Sequence, residues 1–172
     1  MVRFLSLTFH YNLPMQSLTA VHLSLSTNHC SLFTAFDCSL QRQVFGKRLM
    51  DQPVIRFKLA QMAAEVETVH SMLEDLTYQM VMGGEEAVNK RLAGPIALLK
   101  YKQTRAATLV SDNVCQIFGG RALTRSGMGA LVEKFQRSFK MQAILGGSEE
   151  IMADLAMRQA MKSAKVGGLA RL

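Results

Sequence analysis

Three short segments hold the residues best suited to handling a ligand. Arg42-Gln-Val-Phe-Gly-Lys47 presents a guanidinium, a planar and always-charged donor fork that suits phosphate oxygens, three residues before the aromatic Phe45. Gln116-Ile-Phe-Gly-Gly120 sets an amide that can both donate and accept beside Gly119 and Gly120, where a backbone without Cβ lets a ligand come close. Ile144-Leu-Gly-Gly-Ser-Glu-Glu-Ile151 carries Ser148, Glu149 and Glu150 directly after two glycines. Each segment alone also has a purely structural explanation. Arg42 can be a surface arginine, Gly119-Gly120 a helix cap, and Ser148 an N-cap whose following carboxylates favour the positive end of a helix dipole.

Other chemistries find less support. Cys30, Cys38 and Cys115 are odd in number and lack metal-ligand spacing, which argues against a disulfide framework and fits a reducing compartment. His10, His22 and His29 are irregularly spaced, so no metal site is expected. No run of 18 apolar residues occurs, so no membrane-spanning helix is expected. The net charge of +7 points towards an anionic partner, but the basic residues are dispersed, and solvated helix faces explain them more simply. Lys90, Arg91, Lys100, Lys102 and Arg105 could form a basic stripe for nucleic acid. Aromatics are sparse among them, so only phosphate contacts would be available, which argues against that partner.

The elements that must position these residues are helical. With 49% apolar and 19% charged residues, the 172-residue chain reads as one globular domain. Ile55, Leu59, Met62, Val66, Val69, Leu73, Leu76 and Met80 mark one face of a long helix from Pro53 to Met82, stopped by Gly83-Gly84. A second helix starts near Pro95 or a turn earlier and ends at Phe118, with Ile96, Leu99, Ala106, Val110, Val114 and Ile117 inward. Residues 121–130 read as a loop, Leu131 to Ala143 as a shorter helix around Phe135 and Phe139. After Gly146-Gly147 comes a last helix carrying Ile151, Met152, Leu155 and Ala156. The expectation is an all-α, up-down helical bundle over residues 41–165. Residues 1–40 differ: rich in Ser, Thr and Leu, interrupted by Pro14, with Arg3 and Asp37 their only charges. They show no clean helical stripe, too few arginines for a transit peptide and a broken apolar run for a secretory signal, and an irregular leader is expected. Residues 166–172 are expected to be a flexible tail.

The three ligand-suited segments, in this order and spacing, resemble the C-terminal helical domain of the acyl-CoA dehydrogenases over about residues 41–163. The resemblance implies FAD as cofactor and α,β-desaturation of acyl-CoA thioesters as the parent reaction. It implies that Arg42, Gln116, Gly119 and Gly120 contact the flavin dinucleotide of a neighbouring subunit, that Phe45 packs by it, and that Ser148 and Glu150 lie on the cofactor side. A homodimer or tetramer is implied with it. In the family this domain follows a helical domain and a small β-domain, so the chain resembles a fragment or remnant of such an enzyme. The family also implies a long helix leading into Arg42, which the leader does not display.

The match departs from the family at its chemistry. The carboxylate that removes the substrate α-proton falls at Gly146, which cannot act as a base, and the alternative position on the preceding helix falls near Gln16. No catalytic residue is therefore assigned. Arg121-Ala-Leu replaces the usual third glycine and aromatic, and a family glutamine falls at Pro53, with Gln52 beside it. Inactivity of the chain alone is expected, with a non-catalytic oligomerisation module as an alternative. Ala170-Arg-Leu172 resembles a peroxisomal address, with the mitochondrion or cytoplasm as alternatives.

Overall fold

The computed structural model describes residues 13–87 and 91–165. Among the described residues five α-helices make the bundle: α1 (Leu13–Gln41), α2 (Pro53–Ala87), α3 (Ala93–Phe118), α4 (Ala130–Ile144) and α5 (Glu149–Lys165). The all-α bundle expected from the sequence is the fold observed. A small antiparallel hairpin, β1 (Gln43–Val44) and β2 (Lys47–Arg48), joins α1 to α2 through a 3-10 turn, Leu49–Asp51. Ala170-Arg-Leu172, the tail, His10 and Lys90 lie outside the described residues.

Helix α3 is the hub. Ser24 of α1 and Arg42, just past its end, meet Gln103 and Phe118 in the same chain direction, so α1 and α3 run parallel. Lys58 reaches Asn113 at 2.7 Å and Glu65 reaches Lys102 at 2.7 Å, so α2 runs antiparallel to α3. Both α4 and α5 also run antiparallel to it, as Ser111–Gln136 with Lys100–Gln142, and Arg105–Glu149 with Gly94–Gln159, show. The α2 stripe is buried from Ile55 to Leu76, with Met80 packed at its edge, and all six inward positions of α3 are buried. Phe135 and Phe139 anchor α4, and Met152 and Ala156 anchor α5. Ile151 is exposed, because it sits about 100° around the helix from the buried Met152. The expected glycine stop is a break inside α2: Gly84 has φ 62°, ψ −165°, open to glycine and little else, and a short helical stretch to Ala87 follows it.

The expected irregular leader is corrected from Leu13 onward, where the chain forms the first bundle helix. Its inward line is Leu18, Val21, Leu25, Asn28, Ala35 and Cys38, all buried. The spacing is helical, but Asn28 stands in an apolar row, and buried Ser24, Ser31 and Ser39 flank it. Hydroxyls on this helix fold back on its own main chain. Ser26, Thr27, Thr34 and Ser39 each donate to the carbonyl four residues earlier, at 2.7–3.1 Å, so a Ser/Thr-rich segment stays helical. Pro14 falls in the first turn, where its missing N–H costs nothing.

Candidate functional site

The end of α1 and the end of α3 meet at Arg42. Its Nη1 donates to the carbonyls of Phe118 at 3.2 Å and Ile117 at 3.4 Å, in the last turn of α3. Those oxygens lack helix partners and carry the negative end of the dipole, so a cation is favoured there. Gly119 turns the chain with φ 60°, and its N–H closes back on the carbonyl of Cys115. A Cβ on Gly119 would stand 3.8 Å from Arg42 Nη1. The first two ligand-suited segments are thus one local structure, although they are about 75 residues apart in sequence.

Phe45 tips the hairpin that follows. It has φ 54°, next to Gly46 at φ 74°, which gives a two-residue turn with both residues left-handed. Such turns match the strand twist but favour Asn-Gly, because a side chain with Cβ is strained at positive φ. Phe45 is nevertheless 95% exposed. The arms are braced: buried Leu49 donates its N–H to the Arg42 carbonyl at 2.7 Å, Arg48 forks onto Asp51 at 3.2 and 3.3 Å, and Arg56 caps the Asp51 carbonyl at 2.8 Å. The hydrogen bonds from Arg48 hold the Asp51 carboxyl below its usual range. Gln116 is exposed just before the α3 end, and Gly119 and Gly120 are exposed after it. Burial pushes the Cys38 thiol up, partly offset by Arg42 and Arg121, so both cations lie close to this end of the bundle. Gln52 contributes main chain: its carbonyl accepts from Ile55 and Arg56, with Pro53 opening α2.

The third segment stands elsewhere. Gly146 and Gly147, at φ 74° and 113°, turn the chain between α4 and α5. A Cβ on Gly147 would fall 2.4 Å from Met152 Sδ, whereas one on Gly146 would meet open space. Glu149 pairs with Arg105 at 3.4 Å and Lys140 at 3.9 Å. Glu150 is held below the usual carboxylate range by its own main chain, by Ser148, and by nearby Lys140. From Arg105, beside this corner, to Phe118, beside Arg42, α3 rises roughly 20 Å. The sequence-derived site residues therefore form two edges. Arg42, Phe45, Gln116, Gly119 and Gly120 define one; Ser148 and Glu150, with Gly146, define the other.

Several supporting residues carry no signature in sequence. Arg48, Asp51 and Arg56 brace the hairpin, and a Phe-Gly pair flanked by short extended segments was its one available cue. Among the described residues the basic stripe is broken: Lys100 is buried, Lys102 pairs with Glu65 and Arg105 with Glu149, while Arg91 stands exposed. Among the described residues no group of three His, Cys, Asp or Glu side chains converges, and no helix is long and apolar enough to cross a membrane.

The hub helix of the bundle ends in a glycine turn capped by Arg42 of the R-x-x-F-G segment, ahead of the hairpin. The family model for the acyl-CoA dehydrogenase C-terminal domain matches residues 11–161, and the chain belongs to that family. The match takes in α1, in keeping with its place in the bundle. The chain is 39% identical over 132 residues to the acyl-CoA dehydrogenase apdG of Emericella nidulans, covering 77% of this chain and 30% of that protein. Butyryl-CoA dehydrogenase from Megasphaera elsdenii shares the fold with a TM-score of 0.76 at 23% identity, over 87% of this chain and 37% of that one. PigA, solved with FAD and proline, shares it with a TM-score of 0.77 at 18% identity, over 90% and 37%. The chain spans about a third of the length of these proteins.

Proposed function

We propose that this domain serves an acyl-CoA dehydrogenase-type flavoprotein by presenting a dinucleotide-facing edge to FAD bound on a neighbouring subunit. The observation that carries the reading is Phe45. A fully presented aromatic in a strained conformation, on a braced hairpin, gains the chain nothing by itself. Beside it, the half-buried Arg42 fork and the exposed Gly119-Gly120 backbone suit phosphate oxygens, so the residues present fit a dinucleotide. Bound FAD would supply the hydride acceptor for desaturation of an acyl-CoA thioester. This chain's residues would bind and orient it: Arg42 by charge, Phe45 by stacking, Gln116 by its amide, and Ser148 and Glu150 from the second edge. Because the first edge faces outward, the site is completed by a second copy, as a homodimer or tetramer.

Neither base position holds a carboxylate: one falls at Gly146, the other near Gln16, and no acidic residue stands between Arg3 and Asp37. The chain by itself therefore does not remove an α-proton, and losing a positioned base typically slows such a step about 10²–10⁴-fold. The test is an anaerobic acyl-CoA titration of chain mixed with excess FAD, followed by flavin absorbance, beside equilibrium dialysis of FAD. The expected result is no bleaching, together with weak FAD binding that Arg42→Gln and Phe45→Ala abolish. Bleaching, or FAD binding indifferent to both substitutions, contradicts the proposal.

A further inference from the structure

Helix α3 grips the α4–α5 corner on both sides, and one grip is a buried lysine. Lys100 is 2% exposed, and its Nζ donates to the main-chain oxygen of Gln142 at 2.7 Å. That carbonyl belongs to the last turn of α4, where helix oxygens lack partners and the dipole is negative. No carboxylate pairs with Lys100 among the described residues; burial alone lowers its pKa. Further along α3, Arg105 Nη1 reaches Glu149 Oε2 at 3.4 Å, at the first residue of α5, and Lys140 Nζ approaches Oε1 at 3.9 Å.

Between these grips the turn packs on its Gly147 side, against Met152, and is open on the other. Gly146 and Gly147 both adopt positive φ, and the Gly146 Cβ position faces open space. Ile144 and Leu145 are exposed rather than packed into the core. A buried ammonium with one carbonyl partner is also a poor way to gain stability, because an apolar side chain of similar shape avoids its desolvation. Its evident return is local: a charge-assisted bond to one particular oxygen.

We propose that Lys100 is a positioning residue that fixes the end of α4 and, with the Arg105–Glu149 pair, sets where the Gly146-Gly147 turn and Ser148–Glu150 stand. The corner's role towards a cofactor rests on the function proposed above. The clamp does not, and flavin is absent from its test.

The test is amide exchange on the full chain with Lys100→Met, which keeps an unbranched stem and removes the ammonium. The amides to follow are Leu145, bonded to the Met141 carbonyl, and Met152, bonded to the Ser148 carbonyl. Both should exchange about tenfold faster or more, while α2 amides keep their protection and the melting temperature stays level or rises. Unchanged protection at the corner, or an equal loss across α1, α2 and α3, would overturn the proposal. Should that variant fail to fold, Arg105→Gln offers an exposed alternative. It should loosen Met152 and leave Leu145 protected, and equal loosening of the two would contradict separate grips.

Discussion

Replacing Phe45 by asparagine should stabilise the isolated chain while weakening its contact with flavin. Phe45 sits at φ 54° in the first turn position, where an ordinary L-residue is strained by about 1–2 kcal/mol and asparagine by less. The side chain is 95% exposed, so its removal sacrifices almost no buried apolar area, at roughly 25 cal/mol per Å². Gly46 already occupies the second position, so the substitution creates the favoured Asn-Gly pair on an unchanged hairpin. The net expectation is a gain of about 0.5–1 kcal/mol, or roughly 1–4 °C in melting temperature for a domain of this size. Thermal unfolding followed by circular dichroism, repeated in urea to check an unchanged slope, measures it. A loss of stability above about 0.5 kcal/mol would show that Phe45 packs on its own chain and would remove the argument that it is presented to something else.

Gly129→Ala should cost about 3 kcal/mol or more in urea, because its Cβ would fall 1.8 Å from the Arg121 carbonyl oxygen and force the turn after α3 to move. Asn28→Leu should stabilise by about 1–3 kcal/mol, since both amide atoms of this fully buried residue lack hydrogen-bond partners among the described residues; destabilisation in the same assay would reveal a hidden partner such as an internal water. Burial lowers the Lys100 pKa from 10.5, so the folded chain binds fewer protons than the unfolded chain between the folded value and 10.5. Its contribution should therefore make the chain more stable as pH rises through that window, and Lys100→Met should flatten the rise in a pH series of urea midpoints.

Much of the bundle was readable because α2 and α3 bury uninterrupted apolar stripes ended by glycines. Helix α1 was not, and the reason is specific. Asn28 replaces an apolar residue in its inward row, and hydroxyls bonded to their own helix carry no hydropathy signal. The hairpin escaped notice because two-residue strands leave no alternation to read and its turn holds phenylalanine where asparagine is usual. The ligand-suited residues were legible as types, but their grouping was not. Arg42 meets α3 through main-chain carbonyls, which no side-chain pattern encodes, so the division into two edges emerged only from the fold. Lys100 looked like part of a basic stripe because spacing along a helix does not disclose how deeply a neighbouring helix covers it.

The central claim, that the Arg42–Phe45 end of the bundle faces a dinucleotide, is tested most directly by mapping amide chemical shifts of the labelled chain during titration with FAD. The account predicts saturable shifts concentrated at residues 42–46 and 116–120 that vanish in Arg42→Gln, with weaker changes at residues 148–150. Shifts confined to other surfaces, or identical shifts in Arg42→Gln, would contradict it.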